Sequence, residues 1–151
     1  MTTSLKKVGQ VLRAKGYGYH GIGPGGTAYD ALELMAEKNV GALLVVEDHK
    51  LIGVFSERDY ARKVVLQGRS SKNTAVRELM SDQPVHVGPK ASMHDCMVLM
   101  TEHRIRHLPV IDGETILGVV SIGDVVHAII SEQESTIEEL EEYIAGTGYR
   151  A

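Results

Sequence analysis

The stretch Gly53-Val54-Phe55-Ser56-Glu57-Arg58-Asp59 returns 65 residues later as Gly118-Val119-Val120-Ser121-Ile122-Gly123-Asp124. The glycine, the first valine, the serine and the aspartate keep their places. The register extends backwards without a gap: Pro24, Asp30, Leu34, Met35, Glu37, Leu43 and Val45 fall opposite Pro89, Asp95, Leu99, Met100, Glu102, Leu108 and Val110. Agreement at one offset over this length marks two copies of one structural unit. In each copy an apolar strand ends in Gly-x-x-Ser and a helix begins. The serine is placed to cap that helix. The aspartate three residues on falls in its first turn, near the positive end of the helix dipole.

At 151 residues the chain is one domain or two small intertwined halves, and each half alone would bury too little surface to be robust. The 43% hydrophobic and 24% charged content is that of a globular protein. A net charge of -4 argues against a nucleic-acid partner held by a bulk positive field, while leaving room for a local basic pocket. No apolar run approaches the length of a membrane-spanning helix, and Met1 to Lys7 lacks the apolar core of a signal peptide, so no membrane partner is expected. The single cysteine, Cys96, forms no intramolecular disulfide and fits a reducing compartment, the cytoplasm. On its predicted helix it reads as a small buried apolar residue.

Residues 5–15 predict a short helix with Leu5, Val8, Val11 and Leu12 on one face. The glycine-rich segment 15–26 lacks the spacing of a phosphate-binding loop and reads as a loop around a short extended piece. Thr27 caps a helix over 28–38, strands follow over 40–47 and 51–55 around the turn Asp48-His49-Lys50, and a helix runs from Arg58 to about Gln67. After the polar linker 68–73 the order repeats. A short helical turn covers Val76 to Met80, Pro84 to Val87 is extended, and Ser92 caps a helix to about His103. Strands over 107–111 and 116–120 follow, then a helix from Ile122 to about Glu132. Ser135 with Glu138 reads as a capping box opening a separate last helix. Its apolar stripe, Ile137, Leu140 and Ile144, needs a partner surface.

The doubled turn motif, the helices carrying Leu-Met, and the segment Arg104 to Val110 (RIRHLPV) resemble the CBS domain pair, or Bateman module, over about residues 5–132. The segment Gly53 to Lys63 and the tail look like the stand-alone bacterial members. The resemblance implies an α/β fold of tandem β-α-β-β-α repeats packed with pseudo-twofold symmetry: repeat one over 5–68, repeat two over 74–132, and a helix and tail over 133–151. It also implies two clefts between the repeats that bind adenosine-containing ligands, namely AMP foremost, ADP, ATP, S-adenosylmethionine or NAD(H). It further implies a homodimer formed through the helices after each aspartate, aided by 135–145, with a client protein to regulate.

Asp59 and Asp124 stand where the family's ribose-binding aspartate stands, and a carboxylate accepts paired hydrogen bonds from a ribose diol well. Ser56 and Ser121 match its neighbouring hydroxyl. A plainer reading has both aspartates serving only as helix caps. For the phosphate, Arg106 and His107, with Arg104 beside them, are expected to serve the ligand at Asp59, and Arg58 the ligand at Asp124. Opposite these residues the other repeat has Gly41, Ala42 and Gly123, so the two clefts should differ. By the same analogy the adenine meets His20, Ile22, Ala42 and Leu43 in one cleft and Ser81, Val85, Val87 and Leu108 in the other. At the position of Ser81 the first repeat offers Lys15 or Gly16 instead.

A catalytic set is not evident. The seven histidines form no H-E-x-x-H or zinc spacing, and no G-x-S-x-G elbow exists. His103 and His107 lie four apart, but a strand is expected to start between them and no third ligand suggests itself. The expectation is therefore a non-enzymatic sensor, with no metal and no catalytic cofactor. The alternative is an oligomerisation or interaction module with no nucleotide ligand.

Overall fold

The computed structural model describes residues 6–146. Its contacts divide the chain into two compact units. One comprises residues 6–16, 87–108 and 120–146, and the other comprises Tyr17–His86 and Pro109–Val119. These units are not coextensive with the sequence repeats, because the N-terminal helix joins residues of the second repeat. The chain is a mixed α/β protein.

In the first unit, helix α1 (Val8–Lys15) buries Val8 and Leu12. Its start is fastened by Val8 and Gly9 N–H groups donating to the carbonyls of Ala91 and Pro89, at 2.8 and 2.9 Å. Met93 N–H returns a bond of 2.9 Å to the Lys6 carbonyl. Helix α4 (Met93–His103) buries Met93, Cys96 and Met100. The Cys96 thiol is inside, and burial pushes its pKa up to about 11. Helix α5 runs unbroken over Ile122–Gly146. The separate last helix read from Ser135 and Glu138 is therefore not formed. No glycine or proline interrupts the chain from Asp124 to Ala145, and the Thr136 hydroxyl bonds the Glu132 carbonyl at 3.0 Å within the helix.

In the second unit a four-stranded sheet has the order β1-β2-β3-β4, from β1 (Gly21–Ile22), β2 (Ala42–Glu47), β3 (Lys50–Ser56) and β4 (Ser81–Asp82). Helix α2 (Ala28–Lys38) covers it, and Ala28, Ala31, Met35, Leu43, Val45, Phe55, Val64, Val76 and Leu79 form the core. The β2–β3 hairpin closes through Asp48 and His49, both at positive φ (52° and 65°), which matches the twist of the strands. The equivalent strands β5 (His107–Asp112) and β6 (Thr115–Ser121) form a two-stranded sheet.

Three other local expectations shift. The extended piece placed at Pro84 to Val87 gives no named strand there; β4 falls earlier, at Ser81–Asp82, where it pairs with Val54 and Gly53 of β3. Gly53 makes that pairing fit, because a Cβ there would meet the Met80 sulfur at 2.5 Å and the Ser81 carbonyl oxygen at 3.0 Å. The helix after β3 is α-helical only over α3 (Glu57–Tyr60), then widens into a π segment, Ala61–Val65. There the Leu66 N–H reaches back five residues to the Ala61 carbonyl at 3.0 Å. The first helix begins at Val8, and Leu5 lies outside the described residues.

Four helices open with the same device. Thr27, Ser56 and Ser92 are N-caps whose side chains accept from the backbone N–H of Asp30, Asp59 and Asp95, and each aspartate carboxylate accepts the cap's own N–H in return. Ser121 and Asp124 make the same exchange at α5. Each exchange satisfies two N–H groups that the first turn would otherwise leave unpaired.

Two outcomes follow. Gly53→Ala should push β4 off β3 and cost about 1–3 kcal/mol of stability in chemical denaturation; an unchanged midpoint would contradict the packing. Hydrogen bonds from the Ser92 N–H and side chain hold the Asp95 pKa below its ordinary value. A carboxylate whose folded pKa is depressed stabilises the fold above its unfolded pKa of about 3.9 and stops doing so as pH falls through the folded value. The stability gap between wild type and Asp95→Asn should therefore be constant near neutrality and close in acid. A gap that widens in acid would reverse the sign.

Candidate functional site

Each strand that ends in serine delivers its aspartate the same way. At the end of β3, Ser56 is extended (φ −117°, ψ 165°), and the next N–H, of Glu57, donates to the Gly41 carbonyl at 3.0 Å. The turn into α3 is thereby fixed to the residue before β2. Asp59 Oδ2 accepts the Ser56 N–H at 2.9 Å and the Ser56 hydroxyl at 3.0 Å. Its Oδ1 stays out of the cap and lies 3.5 Å from Lys63 Nζ, one turn along. The Lys63 ammonium also donates to the Leu79 carbonyl at 2.9 Å.

The second repeat reproduces this frame. The Ile122 N–H donates to the Arg106 carbonyl at 2.9 Å, as Glu57 does to Gly41. Asp124 Oδ2 accepts the Ser121 N–H at 2.8 Å and the Ser121 hydroxyl at 3.2 Å. Here the cation comes from far away in sequence: Lys15, the last residue of α1, donates to the same Oδ2 at 2.7 Å. The Asp124 side chain is 20% exposed and that of Asp59 17%. Burial of Asp124 opposes its ionisation, but the Lys15 ammonium and the Ser121 N–H outweigh it and hold the carboxyl below its ordinary pKa.

The caps at Asp30 and Asp95 separate the two roles of the motif. They share the serine or threonine exchange, but among the described residues neither has a cation within 4.0 Å. Ser/Thr-x-x-Asp alone is thus a helix-start signal. Asp59 and Asp124 differ in being half-buried at a strand end, with an ammonium alongside. The plain capping role is real at both, and it uses one carboxylate oxygen.

The remaining site residues lie as follows. Arg58 is in the first turn of α3, Arg104 closes α4 at φ 54°, Arg106 is exposed before β5, and His107 opens β5 half-buried. Arg58, Arg104 and His107 each already make a polar or electrostatic contact. His20 and Ser81 are exposed, whereas Ile22, Ala42 and Val85 are half-buried; all five belong to the second unit. Leu43 of the second unit, and Val87 and Leu108 of the first, are buried. A ligand contact at Leu43 or Leu108 would therefore use the backbone rather than the side chain.

Among the described residues, open cavities lie within single units. One of about 500 Å3 is lined by Leu32, Met35, Ala36, Asn39, Val40, Gly41 and Glu57. Another of about 470 Å3 lies against α1, Pro89 and Lys90. Neither includes Asp59, Asp124 or any expected adenine contact. Sequence reasoning gave Lys63 no role and named Lys15 only as a counterpart of the Ser81 adenine contact, not as the partner of Asp124. The i, i+4 spacing from Asp59 was the available signal for Lys63; nothing local points from Lys15 to Asp124.

The family model described as CBS domain matches residues 19–66 and 76–131. The Arabidopsis thaliana "CBS domain-containing protein CBSX3, mitochondrial" is 46% identical over 128 residues, which is 82% of this chain and 62% of that protein. The chain thus spans somewhat under two thirds of this relative. A solved CBS-domain protein from Burkholderia ambifaria MC40-6 is 50% identical, with a TM-score of 0.81 over 85% of this chain and 96% of that one. The structure of CBSX2 in complex with AMP is 27% identical, with a TM-score of 0.69 over 83% of this chain and 97% of that one. With two matched repeats and these relatives, the chain belongs to the CBS-domain family as a tandem CBS pair.

Proposed function

We propose that this chain is a non-catalytic sensor of adenosine-containing ligands, AMP foremost and NAD(H) second, read by Asp59 and Asp124. The observation that carries the reading is the divided use of each carboxylate. The cap holds Oδ2 and so fixes the side chain, while Oδ1 stays outside the cap on a group with an ammonium close by. A pre-positioned acceptor of this kind suits a ribose diol, and its orientation costs nothing further on binding. Ser56 and Ser121 steady it. Arg58, Arg104, Arg106 and His107 are the phosphate partners in this reading. His20, Ile22, Ala42, Leu43, Ser81, Val85, Val87 and Leu108 are the adenine contacts, the buried ones through their backbone. The AMP bound to CBSX2 supports the choice of ligand class.

A sensor needs something to act on. In this reading the chain is a homodimer that regulates a client protein. Ligand binding biases its conformational equilibrium only by the difference in affinity between states. The buried thiol of Cys96 suits a reducing compartment, the cytoplasm in this reading. Among the described residues no helix is long and apolar enough to cross a membrane. One observation favours a second reading, an interaction module without nucleotide: Ile122, Val126, Ile130, Ile137 and Leu140 leave an exposed apolar stripe along α5. The same stripe serves the proposed dimer.

Thermal denaturation with and without AMP separates the two readings. A ligand at about 100 times its Kd stabilises the native state by roughly 2.7 kcal/mol. AMP should raise the midpoint, and Asp59→Asn and Asp124→Asn should each weaken binding at one site by about tenfold or more. A flat response to every adenine nucleotide favours the interaction module. Unchanged AMP affinity in both variants removes these carboxylates from the site.

A further inference from the structure

Two features of the first unit lie outside the site described above, and their chemistry is complementary. Beyond Gln133, helix α5 carries Glu134, Glu138, Glu139, Glu141 and Glu142 and no basic residue up to Gly146. Among the described residues none of these glutamates has a basic group within 4.0 Å. On the same turns Ile137 and Leu140 are 54% and 59% exposed. The side of α5 that its own unit covers holds Val125 and Ala128, about a third of a turn round the helix from this pair. The other feature is the open cavity of about 470 Å3 against α1. Lys7, Arg13 and Lys90 stand around it, all exposed, and among the described residues no carboxylate lines it. Its floor is Gly9 against Pro89, whose carbonyl accepts the Gly9 N–H at 2.9 Å, so the floor is fixed backbone. Asp95 feels the Lys7 charge, but its Oδ2 is committed to the Ser92 N–H.

We propose that the acidic arm of α5 in one copy of the chain docks in the basic cavity beside α1 of a second copy, and that the exchange is reciprocal, so a twofold pair uses the contact twice. Ile137 and Leu140, three residues apart on one face, settle over Gly9 and Pro89 and leave water. Glu134 and Glu141 are the i−3 and i+4 neighbours of Ile137 and flank it, which sets them against Arg13 and Lys90. The stems of those long basic side chains lie along the apolar pair while their charges stay at the rim. The occupant is a second copy because this one chain carries both halves of the match. Pairing two arms with each other is disfavoured, since it would set one run of glutamates beside another with no base between them. The inference rests on the homodimer of the proposed function and gives it a specific contact.

The test is the mass of the full chain against concentration, by analytical ultracentrifugation near neutral pH, with two charge-reversed variants whose circular dichroism matches wild type. Arg13→Glu with Lys90→Glu turns the cavity acidic, and Glu134→Lys with Glu141→Lys turns the arm basic. All four side chains are exposed, and Lys7 is left in place because it is the N-cap of α1. Each variant alone should self-associate more weakly by about tenfold or more, since like charges then face each other. An equimolar mixture should recover pairing, because each chain meets its complement in both contacts. Wild-type pairing should weaken as salt rises from about 0.05 M to about 0.5 M. A cavity variant that pairs as wild type does, or two weakened variants that fail to recover on mixing, overturns the docking and leaves the dimer reading standing. A wild-type chain that is monomeric at tens of micromolar overturns both.

Discussion

The reciprocal hydrogen bonds between a strand-ending serine and the aspartate three residues later are the constraint on which the rest of the structure depends. Ser56 and Ser121 each stop a strand, start a helix and lock a carboxylate in one orientation. The backbone bonds from Glu57 to Gly41 and from Ile122 to Arg106 fix each turn to the strand beside it. A polar group on a loose turn would lose orientational entropy on binding a ligand; here folding has already met that cost. The cap uses Oδ2, so in the proposed reading capping and binding do not compete.

The repeats diverge where they are expected to recognise ligand. Identical caps carry a glycine at position 41 in one repeat and an arginine at position 106 in the other, and lysines reach the two carboxylates by different routes. Burial alone would make the Asp124 carboxyl harder to ionise, and Lys15 reverses that. Duplication preserved the device that orients the acid while its surroundings changed. In the proposed reading, the two sites would differ in affinity or ligand preference for this reason.

What was legible in the sequence was local. The caps at Thr27, Ser56, Ser92 and Ser121, the apolar strands and the two hairpins depend on neighbours within a few residues, and they form where the pattern placed them. The misses have non-local or cumulative causes. Strand β4 falls at Ser81 because Gly53, far off in sequence, leaves room for Met80 beside β3. The π segment after Tyr60 gives no compositional sign. At Ser135 a good capping pattern lost to an uninterrupted helix, since a cap forms only where the preceding residues leave helical geometry. At the candidate site the acids and hydroxyls could be read from a repeated spacing. The lysine that pairs with Asp124 could not, because only the packing of α1 brings it there.

The most direct measurement is a crystal structure of the chain with AMP bound. The ribose hydroxyls should lie within about 2.5–3.0 Å of the Oδ1 atoms of Asp59 and Asp124, with both serine caps intact. AMP bound elsewhere, or a ribose that reaches the carboxylate only after the Ser56 or Ser121 cap has opened, would contradict the account.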